Sequence, residues 1–400
     1  MTEVILALNA GSTSLKFSLF AITRDTDSLS LLYRGGVEGI NGETRFLVHN
    51  AMGQRQEDEQ LLAKAAISHE EALHVLLEWI ECHEAGLRLI SVGHRVVHGG
   101  TLYSAPMLVD AAVLTSLEQL VPLAPLHQPH NLAAIRAIAR IRPHIPQVAC
   151  FDTAFHHTQP AVAQAFALPR DVTALGVKRY GFHGLSYEYI AHTLPSIAPG
   201  LANGKVIAAH LGSGASLCAL SNGRSIDSTM GFSALDGLPM GTRPGQIDPG
   251  VILHLIIEKG MDPAKLQNFL YKECGLKGLS GISNDMRVLE TSDDPRAAFA
   301  IEYFAHRIGL HAGMLAAALG GLDAFVFTAG IGENSAALRA RVAEKLSWLG
   351  AALDPGANEA HKTLISKEHS RVALYVVPTD EELMIARHTL ALLSSGAAKH

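Results

Sequence analysis

The sequence predicts an α/β protein built from two domains that meet along a cleft. Its 400 residues exceed what one hydrophobic core usually organises. Apolar strand patterns alternate with helical patterns, and a strand–turn–strand pattern from the N-terminus returns in the middle of the chain. Because no long linker or low-complexity segment separates the two halves, we expect them to pack together and not to be loosely tethered.

The first strand–turn–strand pattern is LALNAGSTSLKFSLF, residues 6–20. Val4–Leu8 and Leu15–Phe20 are predicted strands, and apolar residues alternate with Lys16 and Ser18 in the second. Gly11 and its small polar neighbours form the turn between them. These features predict an antiparallel hairpin at the N-terminus.

Helical patterns follow in the first half of the chain. They cover Glu70–Glu81, Ala111–Leu120 and Leu132–Ile141. Asp110 is placed to cap the second of these helices, and Pro143 ends the third. The next stretch, IPQVACF, is a predicted buried strand.

The second half opens with KVIAAHLGSGASLCAL, residues 205–220, which repeats the strand, small-residue turn and strand of the N-terminus. Later, FVFTAGIGENSAALRARVAEKL predicts a strand, a glycine turn and a helix that starts near Ser335. The last predicted helix is Glu381–Leu393. Thr379 and Glu382 have the spacing of a capping box, which gives Glu382 a structural role and leaves Glu381 free for another one.

The composition is that of an ordinary globular protein and excludes several classes of function. A net charge of −6 and a pI near 6.4 argue against nucleic acid as the main partner. The N-terminus lacks a secretory pattern, and no apolar run approaches the roughly 18 residues of a membrane span. The four cysteines are widely spaced, so we expect reduced thiols in a cytoplasmic protein.

The turn in the opening stretch resembles a phosphate-binding loop but fails the GxxxxGK[ST] pattern, because a strand and not a helix follows it. A hairpin can still present hydroxyls and backbone N–H groups to phosphate oxygens. The alternative is a plain β-turn with Lys16 on the surface. The companion turn, HLGSGAS, strengthens the phosphate interpretation, since two glycines let a ligand approach the backbone.

Two arginines stand among small or apolar residues and away from other charges. Arg95 lies in GHRVVHGG and Arg243 in MGTRPGQIDP. Such an arginine often binds a carboxylate or phosphate through its planar fork. The alternative for each is a buried structural ion pair. Asp152 and His183 have the same isolated character.

Taken together, the motifs resemble those of the acetate kinase family, whose members are acetate and propionate kinases of the actin-like ATPase superfamily. The matching segments occur in the family's order from residue 9 to residue 382: NAGSTSLK, GHRVVHGG, LAPLHQP, FDTAFH, RYGFHG, HLGSGAS, MGTRPGQIDP, FTAGIGENS and PTDEE.

The resemblance implies an enzyme with two ribonuclease-H-like domains around a central cleft. Residues 1–150 and 385–400 would form the acyl-substrate side, and residues 151–384 the nucleotide-binding domain. The reaction would be reversible, in-line transfer of the ATP γ-phosphoryl group to acetate, giving acetyl phosphate and ADP. Mg²⁺, for which Mn²⁺ can substitute, would be the metal. The family also implies a cytoplasmic homodimer.

The resemblance also assigns residues to roles. The catalytic residues would be Asp152, Arg95, His183 and Arg243, with Asp152 positioning metal or substrate because an ionised carboxylate nucleophile needs no general base. The substrate would be lined by Arg95, Val97, Leu126, His127, Phe182 and Ala234. The phosphates and nucleotide would be bound by Ser12, Ser14, Lys16, His210, Leu211, Gly212, Ser213, Gly214, Asp285, Met286, Arg287, Gly330, Ile331, Gly332, Glu333 and Asn334. Asn9 and Glu381 would place the metal.

The sequence departs from the family pattern at several of these positions. Ser213 replaces an asparagine, and Leu185 and Tyr187 stand where threonine and histidine are typical. Ala234 replaces a proline that helps to wall the acyl pocket. The smaller side chain leaves room for about one methylene, worth roughly 1 kcal/mol, so we expect propionate to be used alongside acetate.

Two other functions share the predicted fold. A nucleotide-gated assembly ATPase would hydrolyse ATP with water and would lack the arginine pair. A sugar or glycerol kinase has a hydroxyl nucleophile, for which Asp152 would have to act as the general base.

Overall fold

The computed structural model describes residues 1–11, 13–23, 28–40, 42–60, 67–83 and 86–397. The chain forms two compact units: unit 1 comprises Met1–Ala154 and Asp380–His400, and unit 2 comprises Phe155–Thr379. The sequence placed these boundaries after residues 150 and 384, a few residues from the observed ones. Among the described residues, no helix is both long and apolar enough to cross a membrane.

The elements of unit 1 are, in chain order, β1 (Thr2–Ala10), β2 (Ser14–Thr23), β3 (Ser28–Glu38), β4 (Arg45–Asn50), β5 (Arg55–Gln60), α1 (His69–His83), β6 (Leu87–Val96), β7 (Met107–Leu108), α2 (Ala111–Glu118), α3 (Gln128–Ile141), β8 (Gln147–Phe151) and, after unit 2, α15 (Glu381–Ala397). The strands form one sheet in the order β5-β4-β3-β2-β1-β6-β8-β7.

The elements of unit 2 are α4 (Ala161–Gln164), α5 (Arg170–Ala174), α6 (Gly184–Ile197), β9 (Lys205–Leu211), β10 (Ala215–Ser221), β11 (Arg224–Ser228), α7 (Pro249–Ile257), α8 (Pro263–Lys272), α9 (Gly275–Ser280), α10 (Met286–Glu290), α11 (Pro295–Leu319), β12 (Ala324–Thr328), α12 (Ala329–Asn334), α13 (Ala336–Lys345), α14 (Pro355–Glu359) and β13 (Ala373–Val376). Its sheet has the order β11-β10-β9-β12-β13.

Both sheets contain the same five-strand arrangement. In unit 1, β1 pairs antiparallel with β2 and parallel with β6, which pairs parallel with β8. In unit 2, β9 pairs antiparallel with β10 and parallel with β12, which pairs parallel with β13. The predicted α/β class with two domains is therefore confirmed, and the short sequence repeat corresponds to a repeated topology.

The N-terminal hairpin forms as the apolar pattern predicts. Val4–Leu8 is completely buried, as expected of a central strand covered on both faces. In β2, Leu15, Phe17 and Leu19 point into the core while Lys16 is exposed. The register pairs Leu8 with Phe17 and Asn9 with Lys16, so the polar end of β1 lies beside the lysine.

The C-terminal helix α15 packs on the sheet of unit 1 at very short range. A Cβ atom on Gly93 of β6 would lie 2.4 Å from Thr389 Oγ1 and 2.5 Å from Ile385 Cγ2, distances that real Cβ atoms do not adopt. Glycine at this position therefore lets the helix approach the strand. This contact fixes the start of α15, where Glu381 lies.

The helix caps predicted from the sequence can be compared with those in the structure. The Asp110 carboxylate accepts the Val113 N–H at 2.7 Å and caps α2 as predicted. The prediction of a capping box at Thr379 and Glu382 is wrong, because the Asp380 carboxylate caps α15 by accepting the Leu383 N–H at 2.8 Å. The Thr379 N–H donates instead to Glu333. Helix α3 begins at Gln128, earlier than expected, since Pro129 is favourable in a first turn.

Two histidines are buried without charged partners, one in each unit. His94 Nε2 lies 2.8 Å from Gln147 Oε1, and His156 Nε2 lies 2.9 Å from the Phe182 carbonyl oxygen. Burial lowers the pKa of each imidazole to about 4, although the hydrogen bond opposes the change. Both rings are therefore neutral in the folded protein near neutral pH.

We expect the free energy of unfolding to decrease as the pH falls from about 6.5 towards 4. In this range a histidine of the unfolded chain binds a proton and the buried ring does not, so each histidine costs roughly 2 kcal/mol between pH 7 and pH 5. Urea unfolding at the two pH values measures the loss. His94→Gln should reduce the loss by about that amount, and an equal loss in variant and wild type would contradict the assignment.

Candidate active site

The predicted catalytic residues of unit 1 lie at the carboxyl ends of its parallel strands. Asn9 is near the end of β1, Arg95 is near the end of β6, and Asp152 directly follows β8. Because β1, β6 and β8 are parallel neighbours, these ends meet at one edge of the sheet. Glu381, the first residue of α15, lies at the same edge.

Arg95 is the centre of this group. Its Nε lies 3.0 Å from Asp152 Oδ1, its Nη2 lies 2.5 Å from Asp152 Oδ2, and its Nη1 donates to Asn9 Oδ1 at 3.1 Å. The Asp152 side chain is 1% exposed and that of Arg95 is 20% exposed. The structure therefore contains the ion pair that the sequence left as an alternative, and one hydrogen remains on each terminal nitrogen of Arg95.

Glu381 adds a second carboxylate beside the same guanidinium. Its Oε2 lies 3.7 Å from Arg95 Nε and accepts a long hydrogen bond from Asn9 Nδ2 at 3.5 Å. Burial raises the pKa of Glu381 against the opposing effect of Arg95, and Asp152 and Glu382 raise it further. Burial opposes the charge of Arg95 as well, but the carboxylates outweigh it and raise the pKa of the guanidinium.

The donor set at this edge fits Mg²⁺ held together with a nucleotide. Among the described residues, no group of three or more His, Cys, Asp or Glu side chains could hold a metal ion alone. Mg²⁺ in kinases is usually bound by one or two carboxylates, water and phosphate oxygens. Glu381 and the Asn9 amide offer oxygen ligands of this kind, and a cation there would relieve the excess of carboxylates around one arginine.

The predicted phosphate hairpin is stabilised at its turn. The Gly11 N–H donates to the Ser14 carbonyl at 2.8 Å, and the Gly11 carbonyl lies 2.6 Å from His69 Nε2. Lys16 is exposed on β2. Ser12, also predicted to contact phosphate, lies outside the described residues.

Asn131 is a residue that the sequence analysis missed. It is 1% exposed on α3. Its Oδ1 accepts the N–H of Val97 at 3.0 Å, and its Nδ2 donates to the carbonyl of Ala10 at 2.8 Å. It thereby joins the ends of β1 and β6, which carry Asn9 and Arg95. Asn131 precedes the predicted helix Leu132–Ile141 and lies inside the observed one, so the helical pattern did not mark it as buried.

The other predicted substrate residues lie in both units. Val97 is buried, Leu126 is partly buried, and His127 precedes α3 and donates its N–H to the Ala124 carbonyl at 3.0 Å. In unit 2, Phe182 and Ala234 are buried.

In unit 2, His183 and Arg243 converge on one glycine. A Cβ atom on Gly214 would lie 2.7 Å from Arg243 Nη2 and 3.2 Å from His183 Nε2, so glycine lets both nitrogens approach the backbone closely. Arg243 is held by donating from Nη1 to the Ala234 carbonyl at 2.8 Å. A guanidinium and an imidazole beside a glycine turn form a suitable environment for an anion.

His183 is itself held by buried neighbours. It precedes α6 with φ of 57°, a left-handed conformation that is uncommon for residues other than glycine. Its Nδ1 lies 2.8 Å from Ser216 Oγ, and its ring stacks on His210 with centroids 4.1 Å apart. His210 Nδ1 lies 2.9 Å from Ser186 Oγ.

The glycine segment after β12 differs from the expected turn, because Ala329–Asn334 forms the short helix α12 and Ser335 then caps α13. Arg339, which the sequence analysis did not select, braces this segment. It is completely buried, and its Nη1 donates to the carbonyls of Gly332 at 3.0 Å and Glu333 at 2.8 Å. Burial raises the pKa of Glu333, whose carboxylate accepts the Thr379 N–H at 3.2 Å.

The remaining predicted nucleotide residues are placed as follows. Asp285 caps α10 by accepting the Arg287 N–H at 2.9 Å, and its carboxylate also pairs with the Arg287 side chain. Met286 is buried. Leu211 ends β9, and Gly212 and Ser213 form the turn that leads to Gly214 and β10.

Comparison with known proteins identifies the family. A profile of the acetokinase family matches residues 4–387. The chain belongs to the acetokinase family. It is 57% identical to an acetate kinase from Nitrobacter hamburgensis, over 100% of this chain and 99% of that protein. It is 54% identical to an acetate kinase from Rhizobium meliloti, over 98% of this chain and 99% of that protein.

Solved structures of the family have the same fold. A propionate kinase from Francisella tularensis superposes with a TM-score of 0.88 at 36% identity, covering 96% of this chain and 98% of its own. The Porphyromonas gingivalis acetate kinase gives a TM-score of 0.85 at 36% identity, covering 98% and 100%. The resemblance to the acetate kinase family and the predicted fold are therefore confirmed.

The contribution of the buried pair to stability is measurable by a double-mutant cycle. Asp152→Asn should lower the free energy of unfolding by about 3 kcal/mol, because it leaves the Arg95 guanidinium without its bidentate partner. Combined with Arg95→Gln it should cost at least about 1 kcal/mol less than the sum of the two single changes. Urea unfolding at pH 7 gives all four values.

The exposed pair Arg140–Glu70, with an N–O distance of 2.7 Å, is the matched control. Its coupling should stay below about 1 kcal/mol. Additive effects at Arg95 and Asp152 would show that the pair is not energetically coupled.

Proposed function

We propose that this protein catalyses reversible transfer of the ATP γ-phosphoryl group to acetate, giving acetyl phosphate and ADP. The observation that favours a carboxylate acceptor over an alcohol is the pairing of both Asp152 oxygens with Arg95. A sugar or glycerol kinase needs a carboxylate free to take the hydroxyl proton. An acetate ion is already deprotonated at neutral pH and needs no base.

The residues of unit 1 act on the acceptor. Arg95 donates to the acetate carboxylate with the hydrogens that remain on its terminal nitrogens, while Asp152 holds the guanidinium in place. Val97 and Leu126 line the acyl group, and His127 lines the phosphoryl site. Asp152 is thus a positioning residue, and the nucleophile is an oxygen of the substrate itself.

The residues of unit 2 act on the phosphoryl group. Arg243 and His183, whose Nη2 and Nε2 lie beside Gly214, donate to its equatorial oxygens, and Phe182 and Ala234 are the acyl-binding residues that the family assigns to this unit. Phosphoryl transfer depends mainly on positioning and on neutralising these oxygens. The arginine pair also distinguishes the protein from an assembly ATPase, which uses water as the acceptor.

Asn9 and Glu381 would hold Mg²⁺, or Mn²⁺ in its place. When bound, the ion would neutralise charge on the phosphate oxygens. Ser14 and Lys16 contact phosphates from the N-terminal hairpin, and the family assigns the same role to Ser12, which lies outside the described residues. The nucleotide is bound by the turn at His210–Gly214, by Asp285, Met286 and Arg287, and by Gly330–Asn334.

We further propose a cytoplasmic homodimer, as in the family it resembles. Helix α7, with the sequence PGVILHLII, supports a protein–protein contact. Val251, Leu253 and Ile257 are 41%, 57% and 69% exposed. Apolar side chains grouped on one exposed helix are typical of an interface.

The phosphotransferase activity is tested by incubating the protein with Mg-ATP and acetate, propionate, butyrate or glycerol and trapping acyl phosphate with hydroxylamine. Hydroxamate that depends on the carboxylate is expected, and ADP release without a carboxylate would indicate an ATPase. Arg95→Ala and Arg243→Ala should each lower kcat about a hundredfold, or about 2.7 kcal/mol. Arg140→Ala is the control for loss of an exposed arginine, and near-normal rates in both site variants would contradict the assignment.

The small side chain of Ala234 is expected to let the enzyme use propionate as well as acetate. We expect kcat/KM for propionate to exceed about one hundredth of that for acetate. Ala234→Pro, which installs the residue typical of the family, should lower the propionate-to-acetate ratio five- to tenfold, equivalent to about 1 kcal/mol. Steady-state kinetics with the two acids measures the ratio. A wild-type ratio below one hundredth would disprove the proposed range.

The oligomeric state is tested by multi-angle light scattering. Leu253→Glu should convert a dimer to a monomer because it places a charge in an apolar contact. Val162→Glu, at an exposed apolar residue of α4, is the control and should leave the mass unchanged. A wild-type protein of monomer mass would exclude the dimer.

A further inference from the structure

We propose that the Tyr187 hydroxyl, acting through Ser216, fixes the tautomer of His183 with the proton on Nε2. Tyr187 is then a positioning residue for the phosphoryl group. The inference rests on the proposed function, because the phosphoryl group is what requires a donor at Nε2, but the tautomer can be measured without any substrate.

Tyr187, Ser216 and His183 form a continuous line of hydrogen bonds inside unit 2. Tyr187 Oη lies 2.5 Å from Ser216 Oγ, which lies 2.8 Å from His183 Nδ1. Tyr187 and Ser216 are completely buried, in α6 and β10 respectively. Tyr187 is one helical turn after His183, and its N–H donates to the His183 carbonyl at 3.1 Å. The phenol is therefore connected to the imidazole through Ser216 in the interior of unit 2.

The chemistry at the other ring nitrogen determines the direction of these hydrogen bonds. His183 Nε2 and Arg243 Nη2 both lie beside the backbone of Gly214. In the proposed function they bind a phosphoryl group, which offers only acceptors, so Nε2 must carry a proton. In a neutral imidazole with its proton on Nε2, Nδ1 is an acceptor.

An acceptor at Nδ1 requires the Ser216 hydroxyl to donate to it. The serine oxygen then accepts from a donor on its other side, and Tyr187 O–H is the group placed there. A phenol is a better donor than an aliphatic hydroxyl because it is the stronger acid. Each hydroxyl thus donates once towards His183, and the buried chain is satisfied along its length.

This arrangement is a departure of this sequence from its family, in which histidine is typical at the position of Tyr187. A histidine can donate or accept through either ring nitrogen and titrates near neutral pH. A buried phenol donates over the whole physiological range. Tyrosine in place of histidine therefore makes the direction of the Tyr187–Ser216–His183 hydrogen bonds independent of pH in that range.

The test uses the full-length protein with ¹⁵N-labelled histidine. Two-bond ¹H–¹⁵N NMR spectra distinguish protonated from unprotonated ring nitrogens, and the His183 signals are assigned by their loss in His183→Gln. We expect the Nε2–H tautomer in the wild type. In Tyr187→Phe the signals should shift towards a mixture of tautomers, because Ser216 is then free to accept from Nδ1. Ser216→Ala should have the same effect, and Tyr189→Phe on the same helix is the control.

In the hydroxamate assay, Tyr187→Phe should lower kcat about tenfold with KM values within threefold of the wild type, since the change affects the transition state more than binding. An unchanged Nε2–H tautomer in both Tyr187→Phe and Ser216→Ala, or an Nδ1–H tautomer in the wild type, would overturn the proposal. A tautomer shift in a protein that does not phosphorylate acetate would support the relay and refute the proposed function.

Discussion

One partly buried guanidinium, that of Arg95, organises the carboxylates at the sheet edge of unit 1. Asp152 accepts hydrogen bonds from Nε and Nη2 of Arg95, and Glu381 Oε2 lies 3.7 Å from that Nε. Removing either charge from water costs several kcal/mol, so each is tolerated only because the other is present. The carboxylates nevertheless outnumber the positive charge, because Glu382 adds a third one. Burial and the two neighbouring carboxylates together raise the pKa of Glu381. This shortage of positive charge suits a centre that takes up a metal ion along with its anionic substrates.

The repeated topology explains why the polar residues gather where they do. In both units the chain enters the sheet by an antiparallel hairpin and then adds parallel strands, whose carboxyl ends open at one edge. Unit 1 places Asn9, Arg95 and Asp152 at these ends. Unit 2 places its glycine turn after β9 and the helix α12 after β12. The same arrangement thus places polar and charged side chains at the strand ends of one unit, and a glycine turn and a short helix at those of the other.

Local patterns in the sequence predicted the strands and helices. The features that the patterns did not predict depend on contacts between residues that are not neighbours in the sequence. The N-terminal hairpin and the Asp110 cap follow from alternation and from one side-chain bond, and both are confirmed. The cap of α15 was assigned to Thr379 because its spacing to Glu382 is correct, but Glu333 takes the Thr379 amide and Asp380 becomes the cap. Asn131 and Arg339 were missed for a similar reason, since each binds backbone groups of other elements: Asn131 binds Val97 and Ala10, and Arg339 binds Gly332 and Asn358.

The ion-pair and anion-binding interpretations of Arg95 are compatible. A guanidinium has five N–H groups, and three of them serve Asp152 and Asn9. These contacts hold the side chain in one orientation, so that the two remaining hydrogens, one on each terminal nitrogen, are directed before any substrate arrives. The entropic cost of ordering a long side chain is then met on folding and not on binding. A buried partner for the arginine is therefore what a carboxylate-binding site requires, and it is no argument against one.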